Sequence, residues 1–286
     1  MIGAPLRLAA RGAGAAGSVV RRLRGDYEED EWGFDPGYAS AAQPGLDFLY
    51  DRWWRVTATG VQHVPASGRA LIVANHAGVV PWDATMMSTA IQRGWPHAAP
   101  LRQPRFLVLN WAFELPYASV AIRRFGGVPA SPYNALRLLE QDHLVMVFPE
   151  GAKGTGKAWA DRYRLERFGR GGFVELALRS GSPIVPCAVV GSEEIYPKIA
   201  EMPGLARMVG APYLPITPTF PLLGLFGAVP LPSRWRIEFC EPLDLSAYGP
   251  EAAEDRALVL ELSEEVRRLI QAKVHENLIK RRGAFT

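Results

Sequence analysis

The strongest constraint on the fold is a series of short apolar segments that alternate with segments of helical periodicity. Uninterrupted apolar runs of this length are typical of strands that are buried on both faces of a sheet. Strands that alternate with helices predict an α/β domain with a mostly parallel central sheet flanked by helices. The predicted strands cover residues 55–59, 70–74, 106–109, 144–148, 184–190 and 235–239, and the predicted helices 41–54, 83–93, 132–142 and 171–180.

We divide the chain into an N-terminal segment, residues 1–38, and a single α/β domain, residues 39–286. The first 25 residues hold five arginines and no acid, and residues 26–31 then reverse the charge. This segment is either a solvated tail or an amphipathic helix on a membrane surface. The domain is predicted to end in a long amphipathic helix over 251–282, whose apolar positions are Leu258, Leu262, Val266, Leu269, Val274 and Leu278.

Composition narrows the class of protein. A net charge of +3 over 286 residues is too weak to indicate nucleic acid as a partner. No stretch approaches the roughly 20 apolar residues needed to span a bilayer, and we find no secretory signal. The absence of both features predicts a protein of the cytoplasm that is either soluble or peripheral on a membrane surface. Cys187 and Cys240 lie in apolar runs and are expected to be buried, reduced thiols.

Asn75 and His76 follow directly after the predicted strand 70–74, and Asp83 comes seven residues after His76. Ligands in open α/β sheets bind at the carboxyl ends of strands, so this histidine is placed for a ligand site. A loop that folds back can bring the Asp83 carboxylate to the imidazole, where it fixes the tautomer and stabilises the imidazolium. The pair therefore suits general-base catalysis. The alternative is a buried histidine beside an aspartate that caps a helix.

A second carboxylate, Glu150, follows the predicted strand 144–148, and Gly151 and Lys153 come directly after it. A lysine among glycines just past a strand can contact an anion through backbone N–H groups and its own charge. The alternative is a flexible basic loop.

The same loop nearly matches the phosphate-binding loop of nucleotide hydrolases. Gly151, Gly156 and Lys157 fit that pattern, but the next residue, Ala158, has no hydroxyl group for Mg²⁺. A carboxylate in front of the loop would also lie beside the triphosphate. A nucleotide-binding protein is therefore a less favoured alternative, and we expect neither a metal ion nor a cofactor.

The pair Gly126-Gly127 precedes the predicted helix 132–142. The structural interpretation is a turn that leads to Ser131, an N-cap for a helix beginning near Pro132. The functional interpretation is a glycine turn that lets a substrate approach the backbone.

Together, these motifs resemble the glycerolipid (PlsC-like) acyltransferase superfamily. Its members carry Asn-His followed by an Asp, then a Gly-rich block, then Phe-Pro-Glu-Gly, then a Val-Pro strand. The matching segments here are 75–83, 126–129, 148–151 and 184–186, in the same order. The flanking segments at 32–36 and 219–224 are similar to the bacterial members.

The resemblance implies a PlsC-like fold and an O-acyltransferase of phospholipid biosynthesis. It would move a fatty acyl group from acyl-CoA or an acyl carrier protein to a hydroxyl of a glycerolipid or lysophospholipid. His76 would deprotonate that hydroxyl, with Asp83 orienting the ring. The alkoxide would then attack the thioester carbonyl, and no acyl-enzyme would form.

The resemblance also implies a substrate-binding set. Glu150 and Gly151 would help to hold the acceptor, and Lys153 stands where the family often has an arginine that binds the acceptor phosphate. Asn75 and the Gly126-Gly127 pair are expected beside them.

Two departures from the family pattern bear on the acceptor. The family usually has four residues between His and Asp, but Pro81 holds that position and the aspartate comes two residues later. The Gly-rich block ends in residues 129–131, Pro-Ala-Ser, where phosphatidate-forming members usually have an arginine or lysine. The missing cation favours a neutral glyceride, another lysophospholipid or another lipid alcohol over lysophosphatidate.

Two other functions stay open at this point. A lipid esterase or thioesterase would use the same His–Asp pair with water in place of the alcohol, although no Gly-x-Ser-x-Gly motif of serine hydrolases occurs. A non-catalytic lipid-binding protein would not need His76. The Pro-rich apolar stretch 217–232 is either a buried loop or a patch that enters a membrane, and in the second case Trp235 with Arg234 and Arg236 would suit the interface.

Overall fold

A computed structural model describes residues 28–77, 82–94, 102–115, 117–208, 210 and 213–285. The basic segment 1–25, for which we left a tail and an amphipathic helix open, lies outside the described residues. Within the described ranges, no helix is both long enough and apolar enough to cross a membrane.

A mostly parallel sheet forms the centre of the molecule. Within the described residues its seven strands are β1 (Thr57–Thr59), β2 (Ala70–Ala74), β3 (Arg105–Val108), β4 (Gly127–Pro129), β5 (Leu144–Val147), β6 (Ile184–Val190) and β9 (Arg236–Phe239). Their spatial order is β1-β9-β6-β2-β5-β3-β4. All neighbours are parallel except β6 and β9. The predicted fold class is confirmed, and β2 lies in the middle of the sheet between β6 and β5.

Helices cover both faces of this sheet. They are α1 (Pro36–Phe48), α2 (Trp82–Gly94), α3 (Ala118–Arg124), α4 (Pro132–Glu140), α5 (Gly151–Thr155), α6 (Gly172–Ser180), α7 (Pro203–Met208) and α8 (Arg256–Lys280). A π-helical turn, Leu49–Trp53, continues α1, and two short strands, β7 (Ala200–Glu201) and β8 (Pro215–Ile216), form a separate ribbon.

The alternation of side chains along β2 divides the core into two layers. Leu71 and Val73 pack with residues of α4, α6 and α8 on one face. Ala70, Ile72 and Ala74 pack with α2 and with Trp54 on the other. All five β2 side chains are buried, as expected for a strand with helices on both sides. This burial fixes the end of β2 at Ala74. The loop that follows, which begins with Asn75 and His76, is called the histidine loop below.

The C-terminal helix is shorter than predicted and slightly rotated. A 3₁₀ turn, Pro250–Glu254, precedes it, and the Asp255 carboxylate caps it by accepting the N–H groups of Ala257 and Leu258. Of the predicted apolar positions, Leu258, Leu269 and Leu278 are only half-buried. The fully buried stripe instead runs along Val259, Leu262, Val266, Ile270 and Val274.

Three consecutive acids fasten the start of the described chain to the domain. Each pairs with an arginine from a different element, namely β3, α3 or α4; the pairs are Glu29–Arg124, Asp30–Arg105 and Glu31–Arg137. Asp35 then caps α1 by accepting the N–H of Tyr38 at 2.8 Å. The boundary that we placed after residue 38 falls inside α1, because this helix begins at Pro36.

The Gly-rich block forms an edge strand, β4, rather than a turn. Gly126 has φ +94°, a conformation that L side chains rarely adopt. A Cβ atom at Gly127 would lie 2.4 Å from the Ile122 side chain of α3. Gly126 is therefore required for the backbone conformation, and Gly127 for the close packing of α3. Ser131 caps α4 as predicted, since its Oγ accepts the N–H of Asn134 at 3.0 Å.

Most of the described side chains of the Pro-rich stretch 217–232 are exposed, so the stretch is not a buried loop, and its entry into a membrane stays a prediction. Leu222 and Phe226 have 84% and 79% of their surface in solvent. The expectation that Trp235 suits an interface was wrong, because this side chain is fully buried and stacks on Trp54 with ring centroids 4.8 Å apart.

Candidate active site

The site begins at an asparagine that extends β2 by one residue. The Asn75 side chain donates to the carbonyl oxygen of Val189 at 2.8 Å and accepts the N–H of the same residue at 2.8 Å. Its amide thus imitates a backbone pair with β6. Because Asn75 is fully buried and both of its polar atoms are occupied, the structure does not bring it to a substrate. Its observed contacts fix the position of the next residue.

His76 and Asp83 lie together as the sequence predicted. His76 Nδ1 is 2.8 Å from Asp83 Oδ2, and the same oxygen accepts the N–H of Ala77 at 2.8 Å. The Asp83 side chain is fully buried, whereas 18% of the His76 side chain is exposed. A buried carboxylate accepts hydrogen bonds, so we assign the ring proton to Nδ1. Nε2 is then the nitrogen with a free lone pair.

Two further contacts hold the histidine. The Phe148 ring stacks on the imidazole with centroids 4.5 Å apart and an interplanar angle of 29°. The backbone N–H of His76 donates to Glu150 Oε1 at 3.0 Å. His76 is therefore fixed through its ring, through its backbone and through the next amide, that of Ala77.

The Glu150 side chain is buried, and both of its carboxylate oxygens accept hydrogen bonds from other groups of the protein. Its second oxygen, Oε2, accepts the N–H of Glu166 at 2.7 Å and the ammonium of Lys157 at 3.1 Å. Lys157 also pairs with Glu193 at 2.7 Å. The structure thus turns Glu150 toward the backbone of the histidine loop rather than toward the cavity described below.

The neighbouring charges of Lys157, Glu150 and Glu193 affect the pKa values of Lys157 and Glu193. Burial lowers the pKa of Lys157, but Glu193 and Glu150 outweigh this effect and raise the pKa above its ordinary value. Burial raises the pKa of Glu193 to about 7, although Lys157 opposes the shift. With its ammonium held between two carboxylates, Lys157 has no free donor for the phosphates of a nucleotide, which removes the basis of the phosphate-loop alternative.

An apolar cavity of about 710 Å³ opens beside His76. This volume lies within the range of about 300–1,000 Å³ that is usual for small-molecule sites. Aliphatic and aromatic side chains from β3, α3 and α6 and from the loops next to β3, α3, β5 and α6 form most of its wall; they include Leu107, Leu109, Trp111, Leu115, Ala121, Ile122, Phe125, Phe148, Phe168 and Phe173. The cavity can therefore take a long apolar group whose reacting end lies at the imidazole.

The remaining predicted residues divide into two groups. Gly151 lines the cavity, and its φ of +55° favours glycine there. Lys153 is exposed and is not part of the cavity wall. Gly126 and Gly127 do not line the cavity either, because their positions are set by packing against β3 and α3.

Neither cysteine is placed to act as a nucleophile. Both are buried and free. Burial raises the pKa of Cys187 well above its ordinary value and that of Cys240 to about 11. Thiols with such pKa values are protonated and unreactive at neutral pH. Among the described residues, no group of three or more His, Cys, Asp or Glu side chains is placed to hold a metal ion.

The sequence did not indicate several residues of this site. Arg170 lines the cavity with an exposed guanidinium, but it lies in a loop that matches no motif. Glu193 is 36 positions from Lys157 in the chain, so only the fold brings the two together. Phe148 belongs to the Phe-Pro-Glu-Gly motif and directly follows β5, the strand beside β2, but the sequence did not indicate that its ring stacks on His76.

Comparisons with known proteins identify a family for this chain. The family model described as Acyltransferase matches residues 55–190. An uncharacterized protein of Mycobacterium tuberculosis is 48% identical over 282 residues, which cover 98% of this chain and 78% of that protein. An uncharacterized protein of Mycobacterium leprae is 47% identical over 284 residues, which cover 99% of this chain and 77% of that protein.

A solved structure shares the fold. It is the crystal structure of the 1-acyl-sn-glycerophosphate acyltransferase PlsC from Thermotoga maritima, with a TM-score of 0.52 and 17% sequence identity. The match covers 84% of this chain and 78% of that chain.

Proposed function

We propose, from the premise that this chain belongs to the acyltransferase family, that it transfers a fatty acyl group from a thioester donor to a lipid hydroxyl. The single observation that carries the proposal is the buried Asp83 carboxylate 2.8 Å from His76 Nδ1, at the wall of an apolar cavity. The family leaves the donor, the acceptor and the mechanism open, so each of these is part of our proposal.

In this mechanism His76 is the general base. Asp83 keeps the proton on Nδ1, so Nε2 removes the proton of the acceptor hydroxyl as its oxygen attacks the thioester carbonyl. The C–O bond forms, the C–S bond breaks, and the proton on the imidazolium passes to the departing thiolate. Asp83 stabilises the imidazolium between these two steps. Neither Cys187 nor Cys240 takes part.

The cavity is the proposed site of the acyl chain. A fatty acyl group gains about 0.8 kcal/mol for each CH₂ group that it buries, so an apolar wall binds it without specific polar contacts. The cavity adjoins the ring of His76, which places the carboxyl end of the chain beside the base.

The charged and uncharged residues around the cavity are the basis on which we propose a donor and an acceptor. Among the described residues that line it, Arg170 is the basic side chain other than His76. We propose that Arg170, together with the exposed Lys153, contacts the phosphates of acyl-CoA or of the prosthetic group of an acyl carrier protein. Ala130 and Ser131 line the wall beside the Gly-rich block and carry no charge. The acceptor is therefore proposed to be a neutral glyceride, a lysophospholipid other than lysophosphatidate or another lipid alcohol.

The test is acyl transfer by the purified protein with a panel of acceptors. Labelled acyl-CoA or acylated carrier protein is incubated with a monoacylglycerol, a diacylglycerol, lysophosphatidylcholine, lysophosphatidate or a long-chain alcohol, and the products are separated. We expect a labelled ester that forms only when an acceptor is present. Free fatty acid released equally with and without acceptor would instead support the esterase or thioesterase, and no turnover at all would support a lipid-binding protein.

We also propose that the protein works at the cytoplasmic membrane surface through an exposed apolar patch. The patch consists of Leu222, Leu223, Phe226 and Val229. From Met202 to Ile237 the sequence holds three arginines and no acid, a charge balance that is complementary to anionic lipid headgroups. The patch is also linked to the site, because Tyr196 donates to the carbonyl oxygen of Ala228 at 2.7 Å and accepts from the indole of Trp82 at 3.3 Å.

Replacing Leu222 and Phe226 together with glutamate is expected to lower binding to vesicles at least about tenfold. Each side chain loses the transfer free energy of a large apolar group, about 1.5–3 kcal/mol, and the new carboxylates are repelled by anionic lipid. Sedimentation with phosphatidylglycerol-containing vesicles measures the change. Acyl transfer to a short-chain acceptor dispersed without vesicles is expected to stay within about twofold of the original rate.

Ile279→Glu is the matched control, because the Ile279 side chain on α8 is 86% exposed outside the patch. Its vesicle binding should equal that of the unmodified protein. Vesicle binding that survives in the double variant would contradict the proposal. A change of oligomeric state in that variant would assign the patch to an interface between two copies of the chain.

A further inference from the structure

Lys157 is a buried cation that the reaction described above does not use. Only 5% of its side chain is exposed. Its ammonium has three acceptors: Glu193 Oε1 at 2.7 Å, Glu150 Oε2 at 3.1 Å and the carbonyl oxygen of Arg164 at 3.2 Å. An ammonium group has three N–H donors, so the surroundings of Lys157 satisfy it completely.

The lysine joins the ends of the two strands that flank the histidine strand. Glu150 follows β5, and Glu193 lies in the 3₁₀ turn Ser192–Glu194 that follows β6. β2 lies between β5 and β6, and His76 comes one residue after Asn75 at its end. The bridge from Glu150 through Lys157 to Glu193 therefore links the two neighbours of the strand that carries the proposed base.

One end of this bridge holds the backbone of the base directly. Glu150 Oε1 accepts the N–H of His76 at 3.0 Å, while Lys157 is bound to the other oxygen of the same carboxylate. Without the ammonium, two buried carboxylates would remain with no cation between them. Leaving a buried charge unpaired is strongly unfavourable, so one carboxyl group would take up a proton or turn toward solvent. If that group is Glu150, its hold on the backbone N–H of His76 weakens directly. If it is Glu193, Glu150 still loses the ammonium that fixes its second oxygen, and its carboxylate can turn away from His76.

We propose that Lys157 is a positioning residue for acyl transfer: by pairing with Glu150 and Glu193 it holds the His76 backbone so that the ring stays aligned with Asp83. The inference rests on the function proposed above. Lys157 touches no substrate, and its effect passes through Glu150. Small displacements of a reacting group lower rates steeply, since a shift of about 1 Å can cost about 10²-fold.

The test is Lys157→Met, which removes the charge but keeps much of the chain length. We expect kcat to fall at least about tenfold while the KM for the donor stays within about twofold. A proton NMR spectrum of the free protein provides a second readout, since the Nδ1–H of His76 bound to a carboxylate gives a low-field signal. That signal should shift or broaden in the variant. Glu193→Gln, a milder change, should lower kcat several-fold in the same direction.

Arg281→Met is the matched control. Arg281 is as buried as Lys157 and pairs with Glu194, the residue next to Glu193, at 2.8 Å from Nη1 to Oε2. Its loss should lower the melting temperature by an amount similar to that for Lys157→Met, about 10 °C. The kcat of the folded enzyme and the low-field signal should both be preserved.

Two outcomes would overturn the inference. Equal losses of kcat in Lys157→Met and Arg281→Met would mean that the lysine contributes only general stability. An unchanged kcat and an unchanged signal in both Lys157→Met and Glu193→Gln would mean that the bridge does not reach His76. The NMR arm needs no turnover, so it tests the link between Lys157 and His76 even if the panel of acceptors yields no ester.

Discussion

His76→Ala is expected to lower acyl transfer by about 10²–10⁴-fold, the usual contribution of a positioned general base. The alanine leaves the acceptor hydroxyl with no group to take its proton, while the apolar cavity remains able to bind the acyl chain. The loss should therefore appear in kcat and leave the KM for the donor nearly unchanged. Initial rates with the acceptor that the panel identifies measure both constants.

A second histidine offers a control for this change. His275 is exposed on α8, where its ring contacts the side chain of Gln271. His275→Ala should keep its full rate. If His76→Ala transfers acyl groups as fast as the unmodified protein, the general-base mechanism is wrong and the cavity binds lipid for another purpose.

Asp83→Asn is expected to lower kcat by about 10²-fold or more, with little change in volume or stability. Asp83 Oδ2 accepts both the Nδ1–H of His76 and the N–H of Ala77. An amide oxygen can still accept these bonds, but it carries no charge to stabilise the imidazolium. The ring is also free to move its proton to Nε2, and that tautomer cannot accept the proton of the acceptor.

The low-field proton signal described above provides an independent readout, because it depends on the carboxylate and should be absent from Asp83→Asn. Asp142→Asn serves as the control. Asp142 is an exposed carboxylate that pairs with Arg69 at 3.1 Å, and its replacement should alter neither the rate nor the signal. A rate for Asp83→Asn within about threefold of the original would show that the aspartate does not orient a catalytic base.

The central strands and the His–Asp pair could be predicted because both depend on short stretches of sequence. An apolar run such as residues 70–74 has one low-energy location, the middle of a sheet. A histidine after that run and an aspartate at the start of the next helix can meet across one loop. No contact between distant parts of the chain was needed to infer that they lie close together.

The direction of a charged side chain could not be predicted in the same way. Glu150 was expected at the acceptor, yet its oxygens bind backbone N–H groups and Lys157. A carboxylate at a strand end can face outward or inward, and only the position of its partners decides which. The loop that contains Lys157 reads as flexible and basic because its partner Glu193 lies far along the chain.

The edge strand β4 was predicted as a turn for a different reason. Gly127–Pro129 forms β4, although glycine and proline usually mark turns. Backbone pairing with β3 and the close approach of α3 outweigh that local tendency. The preceding helix, Ala118–Arg124, was also not predicted. Because this helix lines the cavity, that part of the cavity wall was not predicted either.

The pairing of Asn75 with Val189 has a consequence for how the site can be observed. The amide proton of Val189 is protected from solvent by a side chain rather than by a backbone carbonyl oxygen. Its exchange with deuterium therefore follows the opening of the loop that starts at Asn75, at a lower free energy than unfolding of the whole sheet. One amide on β6 thus reports from a distance how often the proposed base leaves its place.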